Sequence, residues 1–143
     1  MIVIGIVGSR TRNSEEDKKK LMLKIFDLCS GMLYTGSKLI TGDCDRGGDK
    51  FAREIASNWK DIEVDIKRIR DPKTGEEMDF NNHRSFTYYE MVKIFYARNE
   101  EIAKEEMDYL VALVTSNRKG GTENTIKYFK KHHEDWEDKL ILI

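Results

Sequence analysis

Three glycine-bearing turns, each set where an apolar run gives way to a helical pattern, constrain this chain more than any other feature of it. They are Gly8-Ser9-Arg10 after residues 2–7, the stretch TGDCDRGGD at 41–49 after Leu39 and Ile40, and Lys119-Gly120-Gly121-Thr122 after residues 109–114. Parallel strands in an α/β sheet send their strand-to-helix turns to one edge. The three turns are therefore expected to share one crevice lined by backbone N–H groups and helix N-termini. Such a crevice suits a phosphate.

The strands and helices around these turns can be read from their periodicity. Residues 2–7, 109–114 and 140–143 are almost continuously apolar, as strands buried on both faces are. Ile62, Val64 and Ile66 instead alternate with Glu63, Asp65 and Lys67, the pattern of an edge strand with one wet face. Ser14 followed by Glu15, Glu16 and Asp17 predicts a helix start, with Leu21, Ile25 and Leu28 on its apolar face over about 15–31. Ala52, Ile55, Ala56 and Trp59 predict a second helix after Asp49, and further helices are expected at about 90–106 and 122–133. Alternating strands and helices predict an α/β fold: a three-layer, Rossmann-like, mostly parallel five-stranded sheet in the order 3-2-1-4-5, with helices on both faces. That order puts the alternating strand at an edge and the switch point between strands one and four.

Length and charge narrow the function. At 143 residues the chain fits one domain, 1–143, that buries about two-thirds of its unfolded surface. The 25 Lys and Arg against 26 Asp and Glu give no overall field for nucleic acid, which is not the expected partner. Cys29 and Cys44 have no metal-ligand spacing and are expected as reduced thiols, with no metal and no cofactor. Apolar runs of about six residues are too short for a bilayer, and the chain starts in a strand, so a cytoplasmic protein is expected. The oligomeric state is not fixed, a homodimer being among the assemblies allowed.

Four segments together carry a resemblance: GSR at 8–10, TGDCDRGGDKFAREIA at 41–56, ARNEEIA at 97–103 and KGGT at 119–122. In order and context they resemble the SLOG superfamily of Rossmann-like nucleotide-ligand proteins. More narrowly they resemble its YspA-related branch, whose pattern runs GSR, then GGARGAD and a helix, then RN, then GT. The likeness extends from residue 8 to about 131. It implies a phosphate-binding-loop domain that holds a nucleotide or nucleotide-derived ligand as a sensor or accessory module. The alternative it implies is an N-glycosidic hydrolase or transferase on nucleoside monophosphates, similar to the LOG phosphoribohydrolases or to deoxyribosyltransferases. The DNA-processing relatives in the superfamily fit the balanced charge less well.

The ligand-binding candidates are Gly8, Ser9, Arg10, Gly42, Asp43, Arg46, Gly47, Gly48, Asp49, Asn99, Lys119, Gly120, Gly121 and Thr122. The glycine pairs admit a bare backbone close to a ligand, or simply make tight turns. Thr122 is either an N-cap or a hydroxyl donor; Asp43 and Asp49 repel phosphate and would instead bond a ribose hydroxyl or orient Arg46, with Asp49 equally readable as a plain N-cap. Ser9 and Arg10 either reach the ligand or belong to ordinary surface loop. Arg98 lies on the inward stripe Met91, Ile94, Phe95, Arg98, Ile102. It needs an anion there: either Asp43, Asp45 or Asp49, or a ligand phosphate. On the second reading, Arg98→Ala weakens binding and leaves the fold intact.

The resemblance makes Arg98 and Glu123 the catalytic candidates, but the LOG motif GGxGTxxE carries its Glu where Thr125 stands. Thr cannot supply the carboxylate, and Glu123 should point about 200° away on a helix. KGGT is one residue shorter than GGxGT, so a shifted register is the route by which Glu123 would enter. Ligand binding is the preferred reading. Residues 70–89 are long for a connection and read as a lid or recognition loop. Phe80, Phe86, Tyr88 and Tyr89 are its candidate stacking face, about half of them expected only to cover the sheet edge, and His83 is either a solvated loop residue or a ligand contact, whereas His132 and His133 read as a charged helix end.

Overall fold

The computed structural model of the chain describes residues 2–29, 37–59, 61–79 and 86–143. The apolar runs form strands β1 (Val3–Gly8), β2 (Ser37–Gly42), β3 (Ile62–Lys67), β4 (Tyr109–Leu113) and β5 (Leu140–Leu142). They make one sheet in the order β3-β2-β1-β4-β5, as the sequence predicts. Every adjacent pair is parallel, so the sheet is wholly and not just mostly so.

Alternation along β1 builds two cores. Ile4 and Ile6 pack with Leu21 and Ile25 of α1 (Glu15–Leu28) and with Phe51 and Ile55 of α2 (Gly48–Ser57). Val7, on the opposite face, packs with Ile102 of α3 (Tyr88–Lys104) and with Ile126 and Phe129 of α4 (Gly121–His132). A strand covered on both sides has no polar face, which is why the runs of β1 and β4 are continuously apolar; β5, expected from the same pattern to be buried on both faces, instead lies at the sheet edge with Leu142 41% exposed. Each fully buried Leu, Ile or Phe contributes about 1.5–3 kcal/mol, against less than about 1 kcal/mol for an exposed ion pair. The cores therefore hold the layers. At the β3 edge the wet side carries charge instead: Lys67 Nζ sits 3.0 Å from Asp65 and 2.8 Å from Glu105, which discourages pairing with another strand.

Helix starts follow local chemistry. Ser14 accepts from the Asp17 amide at 3.1 Å and closes a capping box on α1. Thr87 and Glu90 form the same box on α3, starting that helix two residues before the expected position. The caps of α2 and α4 are Gly47 and Gly120. Asp49 and Thr122 are thus in the first helical turns and cap nothing. Trp59 lies beyond α2 and packs edge-on against Phe26 at 5.6 Å. α1 ends at Leu28 with Cys29 as its C-cap, short of the expected end at about 31. A four-residue helix α5 (Trp136–Lys139), not anticipated from the sequence, leads into β5.

Both cysteines are free and buried. No helix among the described residues is long and apolar enough to cross a membrane.

The α2 N-terminus lies directly on the β1 backbone. A Cβ on Gly48 would stand 2.7 Å from Val7 C and 2.8 Å from Gly8 N, atoms that cannot swing aside. Gly48→Ala is expected to cost about 3 kcal/mol, the upper end of overpacking, as read by chemical denaturation. An unchanged midpoint would mean that α2 shifts freely.

Candidate functional site

β1 and β4 are neighbours whose chains leave in opposite directions, β1 toward β2 and β4 toward β5. The divergence opens a crevice beyond Gly8 and Leu113, which face each other at the strand ends. A cavity of about 540 Å³ occupies it, within the range of small-molecule sites. One wall is the first turn, with Gly8, Ser9, Arg10 and Thr11; another is the third turn, with Lys119, Gly120, Gly121 and Thr122, and then Thr125. Helix α3 supplies a stripe running from Tyr88 through Val92, Phe95 and Tyr96 to Arg98, Asn99 and Ile102.

The second turn reaches the wall only through Cys44 and Asp49. Gly42, Asp43, Arg46, Gly47 and Gly48, candidate ligand residues by sequence, are not on it. Gly47, at φ 74°, has no room for a Cβ beside Ser9 O, and Gly48 is pressed to Val7. This glycine pair makes way for backbone, the tight-turn alternative. Gly42 makes way for side chains, since a Cβ there would collide with Asp49 Oδ2 and Arg98 Nη1. Arg46 is exposed, and neither Asp43 nor Asp49 orients it. The turn is stapled from outside: Asn13 Oδ1 accepts from Gly47 N at 2.9 Å, and Arg53 donates to Gly42 O at 3.2 Å and Cys44 O at 2.8 Å.

Arg98 is buried and finds its anion inside the protein. Its Nη1 pairs with Asp43 Oδ1 and lies 3.9 Å from Asp49 Oδ2, while Nε donates to Asn99 Oδ1 at 3.1 Å. Asp43 also accepts from Ile69 N at 3.3 Å. Asn99 carries the link onward, Nδ2 donating to Asn124 Oδ1 at 3.0 Å and Gly121 O at 3.4 Å. One connected cluster thus ties the second turn, α3 and the start of α4 together.

Two further groups on the wall are chemically quiet. Burial pushes the Cys44 thiol up, the Arg46 amide opposing, so it does not supply a thiolate nucleophile at neutral pH. Burial also raises the Asp49 carboxyl, against the opposing Arg98 charge, Cys44 amide and Thr41 hydroxyl. The contacts agree with that direction. Thr41 Oγ1 lies 2.7 Å from Ile6 O and 3.2 Å from Asp49 Oδ1; a hydroxyl has one proton, so its shorter bond to Ile6 O leaves it a weak donor to the Asp49 carboxylate.

The third turn differs from the second. Gly120 adopts φ 108° with nothing within 4 Å of a Cβ position, so its glycine serves conformation and leaves space open. The first-turn amides of α4 have no intrahelical acceptor and carry the positive end of the helix dipole. Glu123 is held off the wall by Arg118 in a two-bond pair, both contacts 2.8 Å. Thr125 takes the cavity side, its hydroxyl donating to Gly121 O at 3.2 Å. The shorter loop has not swung Glu123 inward.

No protein-family model matches the chain, and no curated protein does.

The charge on the wall is unequal. Among the described residues, Asp49 is the cavity's single carboxylate, and it is opposed by Arg98. Arg10 and Lys119 are exposed and have no side-chain partner among the described residues. Of the expected stacking residues that are described, only Tyr88 lines the cavity. Phe86 packs on the small core of Ile69, Met91 and Ile94, and Tyr89 points to solvent. Phe80 and His83 lie outside the described residues. His133 is not part of a charged helix end: it is buried, stacked on Phe129 at 4.1 Å, with Nε2 2.7 Å from Ala103 O. No cluster of metal-ligating side chains occurs among the described residues.

Sequence reasoning missed Thr11, Val92 and Tyr96. The four-residue spacing of Tyr88, Val92 and Tyr96, one position round from the inward stripe, was the available signal.

Proposed function

We propose that the cavity binds a nucleotide or nucleotide-derived phosphorylated ligand, with its phosphate at the start of α4. The observation that carries this reading is a pair of cations, Arg10 and Lys119, with no side-chain partner among the described residues, lining the same cavity as an α4 N-terminus that Gly120 leaves open. Oriented amides and the helix dipole favour an anion, and the two cations in the same cavity strengthen that preference. Arg98 enters indirectly, as the residue whose pairs hold the walls in place.

Binding is favoured over glycosidic cleavage. Cleavage of an N-glycosidic bond draws on a positioned carboxyl group. Glu123 is occupied by Arg118, and Asp49 is engaged by Cys44 N at 3.2 Å and by Arg98.

Calorimetry with nucleoside monophosphates and the matching nucleosides tests the proposal. The phosphorylated compounds are expected to bind and the nucleosides to bind at least about tenfold more weakly, the scale of a charge-assisted hydrogen bond. Chromatography of the same mixtures is expected to show no released base beyond the uncatalysed rate. Equal binding of nucleoside and nucleotide would defeat the phosphate assignment. Rapid base release abolished by Glu123→Gln would replace binder with enzyme.

A further inference from the structure

The α3 stripe changes character along its length. Tyr88, Val92, Phe95 and Tyr96 make its first half aromatic and apolar, and Arg98 and Asn99 make the next turn polar. Asn99 touches the start of α4 through Gly121 O. At a rise of about 1.5 Å per residue, Tyr96 lies about 4.5 Å and Val92 about 10 Å along the helix axis from Asn99. The cavity therefore has a polar end beneath α4 and an aromatic end one to two helical turns away. Tyr96 is 43% and Tyr88 78% exposed, so two large ring-bearing side chains on the wall are left uncovered by the fold.

We propose that this aromatic end receives the planar ring of the ligand, with Tyr96 as its stacking platform, and that it accepts purines and pyrimidines with little discrimination. The inference rests on the phosphate reading above. Spacing supports the first half, since a single sugar separates ring and phosphate in a mononucleotide. Chemistry supports the second. The side chains at this end, Tyr88, Met91, Val92, Phe95 and Tyr96, offer a ring edge two phenol hydroxyls and a thioether. Among the described residues they include no amide, guanidinium or carboxylate of the kind that reads a base edge with paired hydrogen bonds. Stacking is tolerant because every base has a π-face, whereas strong selectivity needs buried hydrogen-bonding groups that a wrong ligand leaves unpaired.

The test is calorimetry on the full chain with AMP, GMP, CMP, UMP and ribose 5-phosphate. The nucleotides are expected to fall within about tenfold of one another and to bind about tenfold more tightly than ribose 5-phosphate, the scale of one stacked base. Tyr96→Ala is expected to erase that margin and leave ribose 5-phosphate affinity unchanged, and Tyr96→Phe to keep it. Because Tyr96 is partly exposed, both variants should fold. A preference of more than about 100-fold for one base overturns the tolerance argued from this wall. Equal weakening of ribose 5-phosphate by Tyr96→Ala overturns the stacking role. Binding of ribose 5-phosphate with no gain from a base defeats the ring subsite and leaves the phosphate reading standing, whereas failure of every compound to bind removes both.

Discussion

Arg98→Ala is expected to destabilise the fold by about 3–5 kcal/mol, the cost of leaving buried charge without its partner. The substitution strands two buried carboxylates. Asp43 loses its ion pair, Asp49 loses its neighbouring positive charge, and Asn99 loses one bond from its Oδ1. This replaces the expectation, drawn from sequence, of weakened binding with an intact fold. Guanidinium denaturation compared with Asp43→Asn separates the possibilities. Both variants are expected to unfold at lower denaturant, and combining them should cost less than the sum, because the two residues share one interaction. An Arg98→Ala variant with wild-type stability and lost nucleotide binding would return Arg98 to direct ligand contact.

Charge reversal at the cavity mouth is expected to act in the opposite sense, on binding and not on folding. Arg10→Glu and Lys119→Glu should each weaken a nucleoside monophosphate by about 1.5–3 kcal/mol, the range for a hydrogen bond to a charged group. Neither residue has a side-chain partner to lose among the described residues, so stability should change by less than about 0.5 kcal/mol. Raising the salt concentration is expected to weaken the wild type more than the double variant, since exposed charges are screened. Calorimetry reads both effects. Affinity unchanged in the double variant would move the phosphate away from these two cations.

The sheet order was legible because burial on two faces and on one leave different patterns, continuous in 109–113 and alternating in 62–67. The ionic cluster was half legible. An Arg on the inward stripe of α3 had to meet an anion, but only the folded second turn distinguishes buried Asp43 and Asp49 from exposed Asp45. The glycines were legible as turns and not as sites. Gly48 and Gly120 read alike in sequence, yet one is pressed against backbone and the other borders open space. Which of these a glycine does depends on the element packed opposite it, and local sequence carries no record of that element. Tyr96 escaped for a related reason: a helix that roofs a cavity shows it a second stripe beside the buried one.

Amide chemical shifts of isotope-labelled protein, titrated with a nucleoside monophosphate, test the location of the site most directly. The account predicts saturable shifts at Ser9, Arg10, Gly120, Gly121 and Thr122, which flank one cavity at the ends of β1 and β4, with those at 120–122 reproduced by ribose 5-phosphate. Saturable shifts confined to α1 and β5, or none at any of these five amides while the nucleotide binds, would contradict it.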